Sequence, residues 1–348
     1  MNRPVVAVSG MSAVDSPAPG VPVLRSLKES KLDPVLIGLS YGTLEPGNFM
    51  TELLENSYIM PYPNSGPQVL LERIKNIHSK QKLDVIIPTL DSELENYISI
   101  QSELSQMGIR MTLPGKKELH TRDKTFLNET FKQSEVLLPE TIAINDITAL
   151  RQVADEIGYP VLIKGIFYEA YLARTYEEAV GFFYMLASKW GMPIIIQKFI
   201  SGEECNVCAL ANQGTLTGAV VMKKLFLTDK GKAWAGVTIN NQEALKTSEK
   251  ILEQIGWNGG CELEFIVESR TNKMYLLEIN PRLPAWVYLA TAAGQNLPDA
   301  ILRMSLGENV LPYKDYKIGM VFVRHSWDEI IPMDALESLS IYGQLKEN

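Results

Sequence analysis

The sequence predicts a mixed architecture, an α/β domain built on a parallel sheet followed by an α+β section. Two observations carry that expectation. Over the first 115 residues short apolar runs alternate with helical stretches, the pattern of strands joined by helical crossovers. Beyond about residue 200 strand-like runs dominate instead, interrupted by a long helical pattern. A chain of 348 residues, 46% hydrophobic and 21% charged, is long enough for two domains with substantial cores.

In chain order, strands are expected at 5–8, 35–39, 85–88 and 109–112, and helices at 22–30, 68–79 and 92–107. Ligands in such sheets collect at the carboxyl ends of strands, which singles out loops 9–20 and 89–93. The first either receives an anion on the amides of the following helix or merely connects, and it lacks GxGxxG. In the second, Asp91 and Glu93 either hold an amine or cap the next helix. A helix over 122–133 follows. A compact section, 145–196, then carries a helix at 147–157, a strand at 160–165, a helix at 176–190 and a strand at 193–200. Further strands are expected at 204–211 and 215–227, a helix at 242–255, and strands at 260–268 and 274–282 joined by the polar turn 269–273. A helix over 297–306 stops at Gly307, and a last strand falls at 320–323. The domains expected are 1–115, then 116–310 with a small subdomain at 145–196, then an extension, 311–348, packed on the second domain.

Charge and cysteine usage narrow the function. With 33 Lys and Arg against 41 Asp and Glu the net charge is −8, which argues against the basic footprint of a nucleic-acid binder. A single nucleotide, by contrast, needs only a few local cations. No apolar run approaches the roughly 18 residues that span a bilayer, and residues 1–8 read as a first strand rather than a signal peptide. The three cysteines imply reduced thiols and a cytoplasmic setting. Cys205 and Cys208 lie three apart in a strand-like run and point to opposite faces, so no shared metal or disulfide is expected. His78, His120 and His325 are isolated and read as structural.

The hairpin at 260–282 concentrates polar groups. Period-two alternation puts Glu262 with Glu264 on one face, and Glu278 with Asn280 and Arg282 on one face of the next strand. Such a patch either surrounds a hard cation such as Mg²⁺ or is the solvated side of a half-buried sheet.

Several segments, in order, resemble the ATP-grasp superfamily over nearly the whole chain, with distant similarity to the ATP-grasp domains of carbamoyl phosphate synthetase and biotin carboxylase. They are Arg122-Asp123-Lys124, the 159–165 run ending Lys164-Gly165, the 196–204 run beginning Ile196-Gln197-Lys198-Phe199-Ile200, Glu264-Phe265, and Glu278-Ile279-Asn280-Pro281-Arg282. The resemblance implies an ATP-grasp fold behind an N-terminal parallel α/β domain. It implies that Lys124 and Lys164 meet the nucleotide, and that Gln197, Lys198, Phe199 and Ile200 form the adenine-binding hinge. Glu204 would accept the ribose hydroxyls. Glu264, Glu278 and Asn280 would hold Mg²⁺, as two ions, with Mn²⁺ the alternative. Lys223, in preference to Lys224, would touch the transferring phosphate, and Arg282 would steady a carboxylate and its tetrahedral intermediate.

The implied activity is an ATP-dependent carboxylate–amine ligase acting through an acyl phosphate. Its substrates would be a small-molecule or peptide carboxylate and an amine, with no nucleic acid or membrane partner and a homodimer as the candidate assembly. A small-molecule kinase and a nucleotide-binding regulatory protein are the alternatives. The sequence departs from the family in lacking a glycine-rich lid after Lys164, where Tyr168 and Glu169 stand. Lys230 and Lys232 either gate an acidic substrate or lie in a wet loop, and Trp286 either shapes a pocket or fills the core.

Overall fold

The computed structural model describes residues 3–14, 16–121, 124–165, 169–228, 231 and 233–345, the side chains of 124 and 125 excepted. The chain divides into two compact units. One comprises Met1–Glu118, Asn206–Leu263 and Asn280–Asn348, the other Leu119–Cys205 and Glu264–Ile279.

In the first unit, β1 (Val5–Ser9), α1 (Gly20–Lys28), β2 (Val35–Ser40), β3 (Asn56–Ile59), α2 (Pro67–Gln81) and β4 (Val85–Ile87) build a sheet of order β3-β2-β1-β4, with parallel pairing of each neighbouring pair. Nearly every residue of β1 and β2 is buried, as a parallel sheet covered on both faces requires. The Gly20 amide is taken by the Gly10 carbonyl at 3.1 Å, and a Cβ on Gly20 would strike the carbonyls of Ser9 and Gly10. The expected strand at 109–112 is reduced to one bridge, Arg110 beside Val85. The expected helix 92–107 breaks into a 3-10 turn at Asp91–Glu93, α3 (Leu94–Ser99) and α4 (Gln101–Gln106), because the buried Ile100 leaves helical geometry between them.

Glu93 explains the turn. It is fully enclosed, and its carboxylate accepts from the Ser9 and Tyr41 hydroxyls and from the amides of Thr89 (2.9 Å) and Leu90 (3.0 Å). It therefore caps the turn and pins β4 to β1, and it is not available to an amine. Burial pushes its pKa up against the opposing pull of those hydrogen bonds. The folded state thus holds the proton more readily than the unfolded chain, so this group's contribution is fully present below the ordinary glutamate range and is lost as pH rises through its folded value. Glu93→Gln is expected to flatten that slope in urea melts followed across pH while keeping neutral-pH stability at or above wild type. Glu93→Ala, which strands buried donors, should cost about 2 kcal/mol.

The second unit follows α5 (Lys116–Thr121), at whose end it begins. It contains α6 (Lys124–Phe131), β5 (Thr141–Ile144), α7 (Leu150–Ile157), β6 (Val161–Lys164), β7 (Ala170–Ala173), α8 (Tyr176–Trp190) and β8 (Ile194–Lys198). Its antiparallel sheet has order β5-β8-β6-β7, and α7 and α8 bury Leu150, Ala154, Phe183 and Leu186 against Val161, Ile163, Ile194 and Ile196. The Thr175 side chain caps α8 through the Glu178 amide, and Gly191, at φ +76°, ends it.

A six-stranded sheet completes the chain. Its members are β9 (Gly202–Asn212), β10 (Thr215–Leu227), β11 (Ala233–Thr238), β12 (Gly259–Glu268), β13 (Met274–Asn280) and β14 (Val321–Val323), in the order β13-β12-β9-β10-β11-β14. Helix α9 (Gln242–Ile255) packs on β10. Helices α10 (Val287–Ala292) and α11 (Leu297–Ser305) pack on α1, so Val8, Leu24, Cys208, Met222, Leu283, Trp286 and Ile301 share one core. The segment 311–348 does more than extend the second half of the chain. While β14 pairs with β11, the end of α12 (Met333–Tyr342) reaches the edge of β3, where the Gly343 carbonyl accepts from the Ile59 amide at 2.9 Å and the Leu345 amide donates to Ser57. Among the described residues no helix is long and apolar enough to cross a membrane.

Candidate active site

In the second unit, antiparallel pairing of β6 with β8 sets Leu162 opposite Gln197 and Lys164 opposite Ile195. Lys164, half-buried at the strand end, donates from Nζ to Gln197 Oε1 at 2.7 Å. Gln197 is buried and donates in turn to the Thr141 hydroxyl at 2.9 Å, so β5, β6 and β8 are tied by one polar relay. At the end of β8 the Lys198 amide is held by the Glu140 carbonyl at 2.8 Å, and its side chain is exposed. Phe199 and Glu204 are half-buried and Ile200 is buried. Lys124 opens α6, and its side chain lies outside the described residues.

In the first unit, the close of β13 and the loop after it form a second cluster, and its centre is Glu262. This carboxylate, only 7% exposed, accepts from Asn206 Nδ2 at 2.9 Å and Trp286 Nε1 at 2.7 Å on one oxygen. Its other oxygen accepts from Asn280 Nδ2 and Arg282 Nη1, both at 3.3 Å. Arg282 Nε also lies 3.4 Å from Asp91, at the carboxyl end of the N-terminal sheet. Arg282, Thr89 and Thr112 line a narrow cleft whose other walls are apolar, among them Ile87, Leu113 and Ile301.

Cys208 and Cys261 lie in the same unit as Glu262. Burial first, and the Glu262 charge second, push their thiols up, away from thiolate chemistry. All three cysteines are free and buried.

A family model described as ATP-grasp in the biosynthetic pathway with Ter operon matches residues 191–325. The large chain of carbamoyl phosphate synthase from Methanothermobacter thermautotrophicus is 21% identical over 307 residues, which covers 79% of this chain but only 27% of that relative's length. Among solved structures, the biotin carboxylase domain of 2-oxoglutarate carboxylase from Hydrogenobacter thermophilus, in complex with MgADP, ADP and bicarbonate, superposes with a TM-score of 0.69 at 19% identity. That match covers 91% of this chain and 72% of the other. Biotin carboxylase from Campylobacter jejuni gives 0.71 at 16%, covering 90% and 73%. Residues 191–325 thus match an ATP-grasp family model, and the chain shares the fold of these structures.

The ladder between β10 and β11 is regular from Met222 to Lys224 and shifts register only after it. Met222 packs in the core with Cys208 and Trp286, on the face that carries Glu262. Alternation therefore puts Lys224 on that face and Lys223 on the other. Glu169, expected near a substrate as one option, adopts φ +69° and pairs with Lys189 and the Tyr171 hydroxyl. The Lys189 ammonium holds its carboxyl below the usual range. Tyr168, Lys230 and Lys232 lie outside the described residues. Trp286 proves to be both a core residue and a donor to Glu262.

The donor set fits a hard cation. Among the described residues no three His, Cys, Asp or Glu side chains gather as a metal group, and Mg²⁺ is typically held by one or two carboxylates together with other oxygens. Asn280 supplies one. Its NH₂ faces the acceptor-only Glu262, which turns its carbonyl oxygen the other way. Alternation along each strand gives Glu264 the side of β12 that Glu262 takes and Glu278 the side of β13 that Asn280 takes, and both are half-buried.

Proposed function

We propose that this ATP-grasp chain is an ATP-dependent carboxylate–amine ligase that forms an amide or peptide bond and releases ADP and phosphate. The observation that supports it best is the arrangement closing β13, where an amide oxygen for a metal stands two residues from a guanidinium fixed between two carboxylates. Glu264, Glu278 and Asn280 are the ligands for Mg²⁺, which when bound neutralises charge on the nucleotide's phosphates. Lys164 and Gln197 meet the nucleotide, with the backbone of Lys198, Phe199 and Ile200 at the adenine edge and Glu204 at the ribose. Lys124 and Lys224 add positive charge toward the phosphates.

Arg282 orients the acid. A guanidinium presents planar N–H donors that match a carboxylate, and one whose plane is already set loses little freedom on binding it. A carboxylate oxygen attacks the γ-phosphorus, the bond to ADP breaks, and an acyl phosphate results. The amine then attacks the acyl carbon, loses a proton, and expels phosphate that carries one oxygen of the original acid. An acid labelled with heavy oxygen in its carboxylate is therefore expected to pass one label to released phosphate, with ADP as the nucleotide product. AMP and pyrophosphate, or ADP with a stable phosphorylated product and no amide, would overturn this reading.

A further inference from the structure

Glu262 belongs to none of the roles just assigned, yet it is the most heavily hydrogen-bonded side chain of the cluster. We infer that it is a positioning residue: it fixes the amide of Asn280 oxygen-outward and sets the plane of Arg282. The inference rests on the metal role of Asn280 and the substrate role of Arg282 proposed above.

Four side-chain donors, from Asn206, Trp286, Asn280 and Arg282, meet its two oxygens. A carboxylate offers about four acceptor sites, so Glu262 is saturated and takes no part as ligand or base. An asparagine amide can rotate by half a turn and exchange its oxygen for its NH₂ at nearly constant shape. Beside an ionised carboxylate the two states are far from equal. With NH₂ inward the pair is a charge-assisted hydrogen bond, and with oxygen inward two acceptors collide. The same Glu262 oxygen also receives Arg282 Nη1, so metal ligand and substrate guanidinium are set by one atom. Glu262 is itself immobile, because Asn206 on β9 and Trp286 ahead of α10 clamp the other oxygen.

The test is calorimetric binding of ADP to the full chain, with chelator and with Mg²⁺, alongside thermal melts. Wild type should bind ADP more tightly with Mg²⁺. Glu262→Gln should bind metal-free ADP as wild type does and lose at least tenfold of the Mg²⁺ enhancement. The double variant Glu262→Gln with Asn280→Asp should recover most of that loss. In it the glutamine amide introduced at position 262 donates to one oxygen of the new carboxylate at position 280 and leaves the other for the ion. A purely structural role would show no such rescue. Glu262→Asp, which keeps the charge but withdraws it by one methylene, serves if the Gln variant does not fold, and should lose several-fold. An Mg²⁺ response kept in the Glu262 variants but lost in Asn280→Ala would overturn the positioning role alone. No Mg²⁺ response in wild type would overturn the metal reading beneath it, and this role with it.

Discussion

Glu278→Gln is expected to lower ATP-dependent turnover by about 10²–10³-fold, the effect of removing one preorganised charge from a site where charge develops. The substitution is isosteric, and Glu278 is half-buried on a strand held by its neighbour β12, so the melting temperature should stay close to wild type. The change removes one negative charge from the proposed ligand set and leaves one carboxylate and two amide oxygens. Mg²⁺ would then bind more weakly, and the nucleotide's phosphates would keep more of their charge during transfer. Steady-state release of ADP over a Mg²⁺ titration measures both effects. Turnover should fall, and the Mg²⁺ concentration for half-maximal rate should rise. A purified, folded variant with wild-type turnover would remove Glu278 from the ligand set.

How much of this is legible in the sequence depends on where the information for each element lies. Helices α8 and α9 match expectation end to end because their own residues start and stop them. Thr175 and Asn241 cap the first turns, and Gly191 and Gly256, at positive φ, end the last ones. Strand β10 matches because its apolar runs, Ala219–Met222 and Leu225–Leu227, are separated only by Lys223 and Lys224. Strands β3, β7 and β11 fall outside the sequence expectation for the opposite reason. Asn56–Ile59 is half polar, and it is a strand because Ser57 finds Asn48 at 2.6 Å and β2 supplies the ladder. Ala233–Thr238 receives no element in the sequence expectation and is a strand through its pairing with β10 and β14. In each case tertiary pairing overrides a weak local preference.

The candidate site follows the same division. Alternation along one hairpin brings Glu264, Glu278, Asn280 and Arg282 to attention, because strand period is a property of the local chain. Glu262 stands in the same pattern, but its role is set by Asn206, 56 residues away, and Trp286, 24 residues away. No spacing rule links those positions. Telling the faces of Lys223 and Lys224 apart likewise needs the core, since only the cluster that Met222 shares with Trp286 tells which face of β10 looks toward Glu262. A weak signal does exist for Glu262: a carboxylate two residues from a proposed metal ligand, flanked by Cys261 and Leu263, is an expensive residue to bury without partners.

That cost leads to the second large effect, on stability. Arg282 is 20% exposed and is the cation between Glu262 at 3.3 Å and Asp91 at 3.4 Å. Replacing it with Met keeps much of the side-chain volume but leaves the buried Glu262 carboxylate facing Asp91 without that countercharge. Breaking a buried pair by removing one partner costs about 3–5 kcal/mol, and the partial exposure of Arg282 places the expected loss at or below the lower end of that range, about 2–3 kcal/mol. Removing both charges should be far less harmful, because the surviving donors then lose an acceptor but no charge is stranded. Arg282→Met combined with Glu262→Gln should therefore cost less than the sum of the single variants, by about 1–2 kcal/mol in a urea double-mutant cycle. Additive costs would show that Arg282 and Glu262 are neighbours without coupling. Turnover should not recover in the double variant, because the guanidinium proposed to orient the acid is still missing. Recovery of stability without recovery of rate would separate the two roles of Arg282, as the counterion that lets Glu262 be buried and as the group that holds the substrate.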